Sequence, residues 1–134
     1  MIALDSSVVV ASFGAWHEHH GPARDVLAAR PRLPAHAGLE AYAVLTRLPE
    51  PFRAEPRTVA EFLSRTFASV RLVLGADDQA GLPDRLAGLG ISGGSVYDAL
   101  IALTAGAADA ELLTLDRRAL ATYERCRVQA RLLA

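Results

Sequence analysis

Met1-Ile2-Ala3-Leu4-Asp5-Ser6-Ser7-Val8 begins as a short apolar run and ends in one carboxylate and two hydroxyls. An apolar run of that length suits a buried strand, and Asp followed by Ser is the chemistry of a chain turning into a helix. Val8 to Phe13 continues that helix. The same sentence is written again near the other end: Leu112-Leu113-Thr114-Leu115 runs into Asp116-Arg117-Arg118. Two strands, each ending in an aspartate where a helix begins, set the pattern for everything between them.

Outward from these two points, helical spacing and punctuation predict further elements. Gly21-Pro22 precedes a helix from about Ala23 to Ala29, and Leu33-Pro34-Ala35 leads into another from about His36 to Leu48. Pro49, Pro51 and Pro56 mark a turn-rich connection. Val59, Phe62, Leu63 and Phe67 recur at helical spacing over Arg57 to Ala68, and Val70 to Leu74 alternates like a strand. Asp77 to Leu89 reads as helix weakened by Gly81 and Pro83, Gly88 to Gly94 as a loop, and Ser95 to Ala108 as a strong helix. Glu111 to Leu115 is a strand, Arg117 to Glu124 a helix, and Val128 to Leu133 a last strand. Strands alternating with helices in 134 residues predict one α/β domain, residues 1–134, with a mainly parallel sheet covered on both faces. Ligands of such sheets gather outside the carboxyl ends of the strands, which is where Asp5 and Asp116 fall.

Three carboxylates occur where charge is otherwise missing. Asp5 is the only Asp, Glu or Arg between Met1 and His17, Glu40 the only one between Leu33 and Thr46, and Asp98 the only one between Leu86 and Ala108. A buried carboxylate is costly unless something neutralises it, and no arginine in those windows does so. Magnesium and manganese prefer carboxylate oxygens and water, so converging Asp and Glu side chains form a site for either ion. Such an ion acidifies a bound water and stabilises charge on a phosphate, which points to phosphodiester hydrolysis. Each aspartate also has a purely structural explanation: Asp5 and Asp116 as helix caps, Asp98 as the far member of a capping box begun by Ser95. Glu40 has none, because it shares a helix face with Ala37 and Val44.

Composition removes other mechanisms. All 14 basic residues are arginine; without lysine there is no phosphate-loop lysine and no Schiff base. The single Cys126 forms no internal disulfide and no multi-cysteine metal site, consistent with a cytosolic, reducing setting. The apolar first residues lack the basic leader and cleavage pattern of a signal peptide, and no stretch is long and uncharged enough for a membrane span. The net charge of −1 gives no global sign of nucleic-acid binding.

At four blocks the chain resembles PIN-domain proteins, and within them the VapC-type toxins of bacterial toxin–antitoxin pairs. Met1 to Val8 is similar to the family's opening strand and first acid, and Glu40-Ala41-Tyr42-Ala43-Val44-Leu45-Thr46-Arg47-Leu48 to its second block. Tyr97-Asp98-Ala99-Leu100-Ile101-Ala102 is similar to the third and Leu113-Thr114-Leu115-Asp116-Arg117-Arg118 to the fourth. The resemblance implies a five-stranded parallel sheet, a metal site of Asp5, Glu40, Asp98 and Asp116 holding Mg2+ or Mn2+, and endoribonuclease activity. It further implies single-stranded or looped RNA as substrate, a homodimer, and a small cognate antitoxin protein. Asp116 occupies the most variable of the four family positions.

Around this set, Arg117 and Arg118 are placed to meet substrate phosphates, since guanidinium binds phosphate in a bidentate fork, although a solvated helix start explains them equally. Ser6 and Thr114 are candidates for orienting the carboxylates or waters. His17, His19 and His20 form a cluster with the chemistry to bind metal, but Glu18 and Gly21 beside them read as an exposed loop, and His36 reads as packing at a helix start rather than as a catalytic group. Trp16, Phe13 and Tyr42 read as core or interface rather than as base-stacking platforms. The rival from another class is a non-catalytic PIN-like module that only holds RNA or an antitoxin.

Overall fold

The computed structural model describes residues 1–134 and places a small parallel sheet among eight helices. Strands β1 (Ile2–Leu4), β2 (Glu111–Thr114) and β3 (Ala130–Leu132) lie in the order β1-β2-β3, all parallel. Ala3 faces Leu112 across the first ladder and Leu113 faces Arg131 across the second. Ala3, Leu4, Leu112 and Leu113 have no exposed surface. That near-continuous burial is what a parallel strand covered on both faces requires.

The sheet has three strands, not five. Two more segments approach its free side by isolated parallel bridges, Arg32 beside Ala3 and Leu72 beside Pro34. The reason they stop there is chemical. Arg32 exchanges backbone hydrogen bonds with Ile2 and Leu4, and Leu72 with Leu33 and Ala35; Pro34 has no N–H to lengthen the first ladder, and the second is cut short because the Val70 carbonyl accepts from the Arg32 guanidinium and α3 begins at Ala35. Val70 to Leu74 therefore contributes one bridge rather than the strand its alternation predicts.

The helices are α1 (Ser6–Phe13), α2 (His20–Val26), α3 (Ala35–Arg47), α4 (Pro56–Thr66), α5 (Ala76–Ala80), α6 (Leu82–Gly88), α7 (Ser95–Ala107) and α8 (Ala119–Arg125). Gly21 and Pro22 lie inside the first turn of α2, where proline's missing donor costs nothing. The stretch expected as one helix after Asp77 is two, because the chain breaks at Gly81 and restarts with Pro83 in the first turn of α6. No capping box opens α7: Gly94 precedes it without any side-chain bond. One cluster of 26 buried residues, drawn from the sheet and from α1, α3, α7 and α8 among others, forms the core. No helix is long and apolar enough to cross a membrane.

Candidate active site

Asp5 leaves the end of β1 and is 2% exposed. Its Oδ1 accepts the Ser7 hydroxyl at 2.5 Å and the amides of Ser7 and Val8 at 3.0 and 3.3 Å. Its Oδ2 accepts the Tyr123 hydroxyl at 2.8 Å. Asp5 thus caps α1, and the same bonds hold its carboxylate still. Burial pushes its pKa up, while the bonds from Ser7, Tyr123 and the Val8 amide pull the other way. Burial and the adjacent Asp5 carboxylate raise the Tyr123 phenol, which stays the donor of that bond.

Glu40 stands on α3 half-buried, with Ala37 one turn before it fully inside the core. The Ser6 hydroxyl donates to its Oε1 at 2.7 Å, and His36 Nε2 lies 3.2 Å from its Oε2. His36 in turn stacks on the Tyr97 ring at 5.5 Å and 12°. Asp98, in the first turn of α7, is half-buried and makes no hydrogen bond or ion pair. Burial, then the charges of Glu40, Asp116 and Asp5, push its carboxyl up to about 6, with His36 pulling slightly down. Asp98 is the point where the field of the other three acids is felt.

Asp116 is exposed beyond the end of β2. Thr114 Oγ1 accepts its amide at 2.9 Å, and its Oδ1 accepts the Arg118 amide at 2.9 Å. Ser7 Oγ ties the two strand ends together: it accepts the Leu115 amide at 2.8 Å and lies 3.4 Å from Thr114 Oγ1. The structure therefore gathers Asp5, Glu40, Asp98 and Asp116 around the carboxyl edge of β1 and β2. Arg117 and Arg118 are exposed beside them with side chains that bond to nothing in the chain.

The donor chemistry of this edge suits a hard divalent cation. Four carboxylates gather with no arginine paired to any of them; the only arginine ion pairs, to Glu50 and Glu111, involve other acids. As the side chains stand, no three acids, with or without histidine, close around one point. Asp98 has no hydrogen bond or ion pair to hold it, and its ionised form is opposed by the neighbouring carboxylates.

Ser7, Tyr123 and His36 belong to this site although the sequence assigned none of them to it. Tyr123 left a trace: it shares a helix face with Ala119, and a tyrosine on a buried face needs a partner for its hydroxyl. The histidine cluster is also different from the expected exposed loop. His17, His19 and His20 are all half-buried; His20 Nδ1 lies 2.8 Å from the Ala11 carbonyl, and His17 and His19 line a cleft that reaches Ser6 and Ser7.

A family model described as "PIN domain" matches residues 2–125. The chain is 49% identical over 133 residues to the protein named Ribonuclease VapC40 of Mycobacterium tuberculosis, in strains H37Rv and CDC 1551, covering 99% of each chain. It is 42% identical over 125 residues to Ribonuclease VapC27 of the H37Rv strain, covering 92% of this chain and 90% of that protein.

Proposed function

This chain belongs to the PIN-domain family, and we propose that it is a Mg2+- or Mn2+-dependent endoribonuclease, the VapC-type toxin of a toxin–antitoxin pair. The observation that carries this is the carboxylate edge itself: Asp5, Glu40, Asp98 and Asp116 with no arginine to neutralise them. The names of two relatives, both ribonucleases, support the same reaction class. The whole of residues 1–134 acts as one domain, in the cytosol where RNA is met, as a homodimer and under the control of a small antitoxin protein.

Asp5, Glu40 and Asp98 would hold the ion, with Asp116 at its outer side. When bound, such an ion lowers the pKa of a water and neutralises charge developing on the phosphate. The chain's own residues do the rest. Ser7 and Tyr123 fix both oxygens of Asp5, and Ser6 and His36 fix those of Glu40, so these two ligands are preorganised. Asp98 contributes charge that only a cation relieves. Arg117 and Arg118 stand where the RNA backbone meets the site and supply the positive charge that the acids lack. No side chain is needed as nucleophile.

The test is cleavage of RNA by purified protein in Mg2+ or Mn2+, followed by Asp5→Asn and Asp98→Asn. Each substitution is expected to abolish metal-dependent cleavage while circular dichroism shows the fold intact. RNA bound by the parent without cleavage in either metal would instead establish the non-catalytic module.

A further inference from the structure

Trp16 and Phe52 are large aromatic side chains left 44% and 46% exposed, on a molecule whose other rings mostly pack inward. They are not isolated. Phe52 lies 5.4 Å from Trp16, Trp16 lies 5.8 Å from His17, and His17 lies 5.8 Å from His19, ring centre to ring centre. The rings are tilted 42° to 55° from their neighbours. Successive rings therefore do not cover one another face to face, and Trp16 and Phe52 keep surface for another π system.

The indole is seated by the backbone. A Cβ built on Gly14 would lie 2.7 Å from Trp16 Cε2 and 2.8 Å from Cζ2, so only glycine lets the ring lie down there. The row then descends into a cleft of about 330 Å³ lined by Ser6, Ser7, His17, Glu18, His19 and Leu115 among others. Ser6 and Ser7 are the residues that hold Glu40 and Asp5. Whatever lies on the aromatic row is therefore contiguous with the carboxylate edge.

We propose that the row Phe52–Trp16–His17–His19 and the cleft below it form a nucleobase subsite, on which bases of a single RNA strand stack next to the bond being cut. This rests on the ribonuclease function proposed above. The lining decides which part of the strand enters. It holds Glu18 and no arginine, so a phosphate is repelled while a base is not. Ring faces accept any base by stacking. The Glu18 carboxylate and the Ser6 oxygen, whose proton goes to Glu40, offer acceptors for a base edge, and a histidine ring N–H offers a donor. His17 Nδ1 accepts the His19 amide at 3.0 Å, which leaves Nε2 as the donor. Burial and the neighbouring His19 lower the His17 pKa and keep that ring neutral.

Trp16 is the only tryptophan, so its fluorescence reports on this site alone. The Asp98→Asn protein in Mg2+ is titrated with a short single-stranded oligoadenylate. Saturable quenching of Trp16 is expected. By anisotropy of labelled RNA, Trp16→Ala is expected to weaken binding about 5- to 150-fold, the range for losing one stacked base. Trp16→Phe should restore most of it, and Gly14→Ala, which displaces the indole without deleting it, should weaken it. Thermal unfolding of each variant separates lost binding from lost folding. Fluorescence unmoved at saturating RNA, or parental affinity in folded Trp16→Ala, overturns the subsite and leaves the patch to a protein partner. Cleavage of the same RNA by the parent alongside a silent tryptophan sinks the subsite alone. Neither binding nor cleavage sinks the ribonuclease function with it.

Discussion

Replacing Asp98 by Asn should abolish cleavage and yet make the metal-free protein more stable. Asp98 makes no hydrogen bond that the amide would lose, and its ionised form is opposed by burial and by Glu40, Asp116 and Asp5. Its folded pKa of about 6 stands above the ordinary 3.8. Stability from this group is therefore fully present below pH 3.8 and is lost as pH rises through 6, because the folded state holds a proton that the unfolded chain has released. At about 1.4 kcal/mol per pKa unit the full penalty at pH 7 is about 3 kcal/mol. Asp98 is only half-buried, and solvent screening brings the expected gain down to about 1 kcal/mol. Urea unfolding in EDTA at low ionic strength should show Asp98→Asn more stable than the parent at pH 7 and equal to it near pH 4. Added Mn2+ should stabilise the parent and erase the difference. A variant no more stable than the parent in EDTA at pH 7 would refute the claim that like charges are crowded at Asp98.

Tyr123→Phe keeps the buried ring and removes one donor to Asp5; the expected cost is about 1–3 kcal/mol in urea unfolding, with weaker Mn2+ binding. Equal stability and equal Mn2+ affinity would remove Tyr123 from the site. Ser7→Ala leaves the Leu115 amide without its acceptor and Asp5 without a hydroxyl donor, so a loss of about 1–3 kcal/mol is expected by the same assay. Burial raises the Cys126 thiol pKa, so maleimide labelling at pH 8 should be slow in the folded protein and fast in urea. Equal rates in the two states would contradict its burial.

Asp5, Glu40 and Asp98 were legible because each is an isolated charge in apolar sequence, and isolation is a property that a sequence displays directly. The strands ending at Leu4 and Thr114 were legible for a related reason: short apolar runs broken by an aspartate. Arg32 to Pro34 was not, since its pairing amounts to single bridges between prolines and carries no strand-like alternation. Val70 to Leu74 showed alternation but pairs only at Leu72, because the Val70 carbonyl accepts from the Arg32 guanidinium and the facing segment turns into α3 at Ala35. Tyr123 escaped for want of distance information, since its bond to Asp5 spans 118 positions, and so did the 108-position bond by which Ser7 ties the two strand ends together; the local Ser7–Asp5 bond looks in sequence like ordinary helix capping. The histidines were misplaced because polar neighbours such as Glu18 suggested a solvated loop, whereas His17 and His19 turn toward Ser6 and Ser7.

Calorimetric titration of Mn2+ into the metal-free protein tests the carboxylate site most directly. Saturable binding to the parent is expected, weakened at least about tenfold by Asp5→Asn and by Asp98→Asn, and unchanged by Glu111→Gln, whose carboxylate pairs with Arg131 outside the site. Absence of saturable binding in the parent, or equal binding in the parent and both aspartate variants, would contradict it.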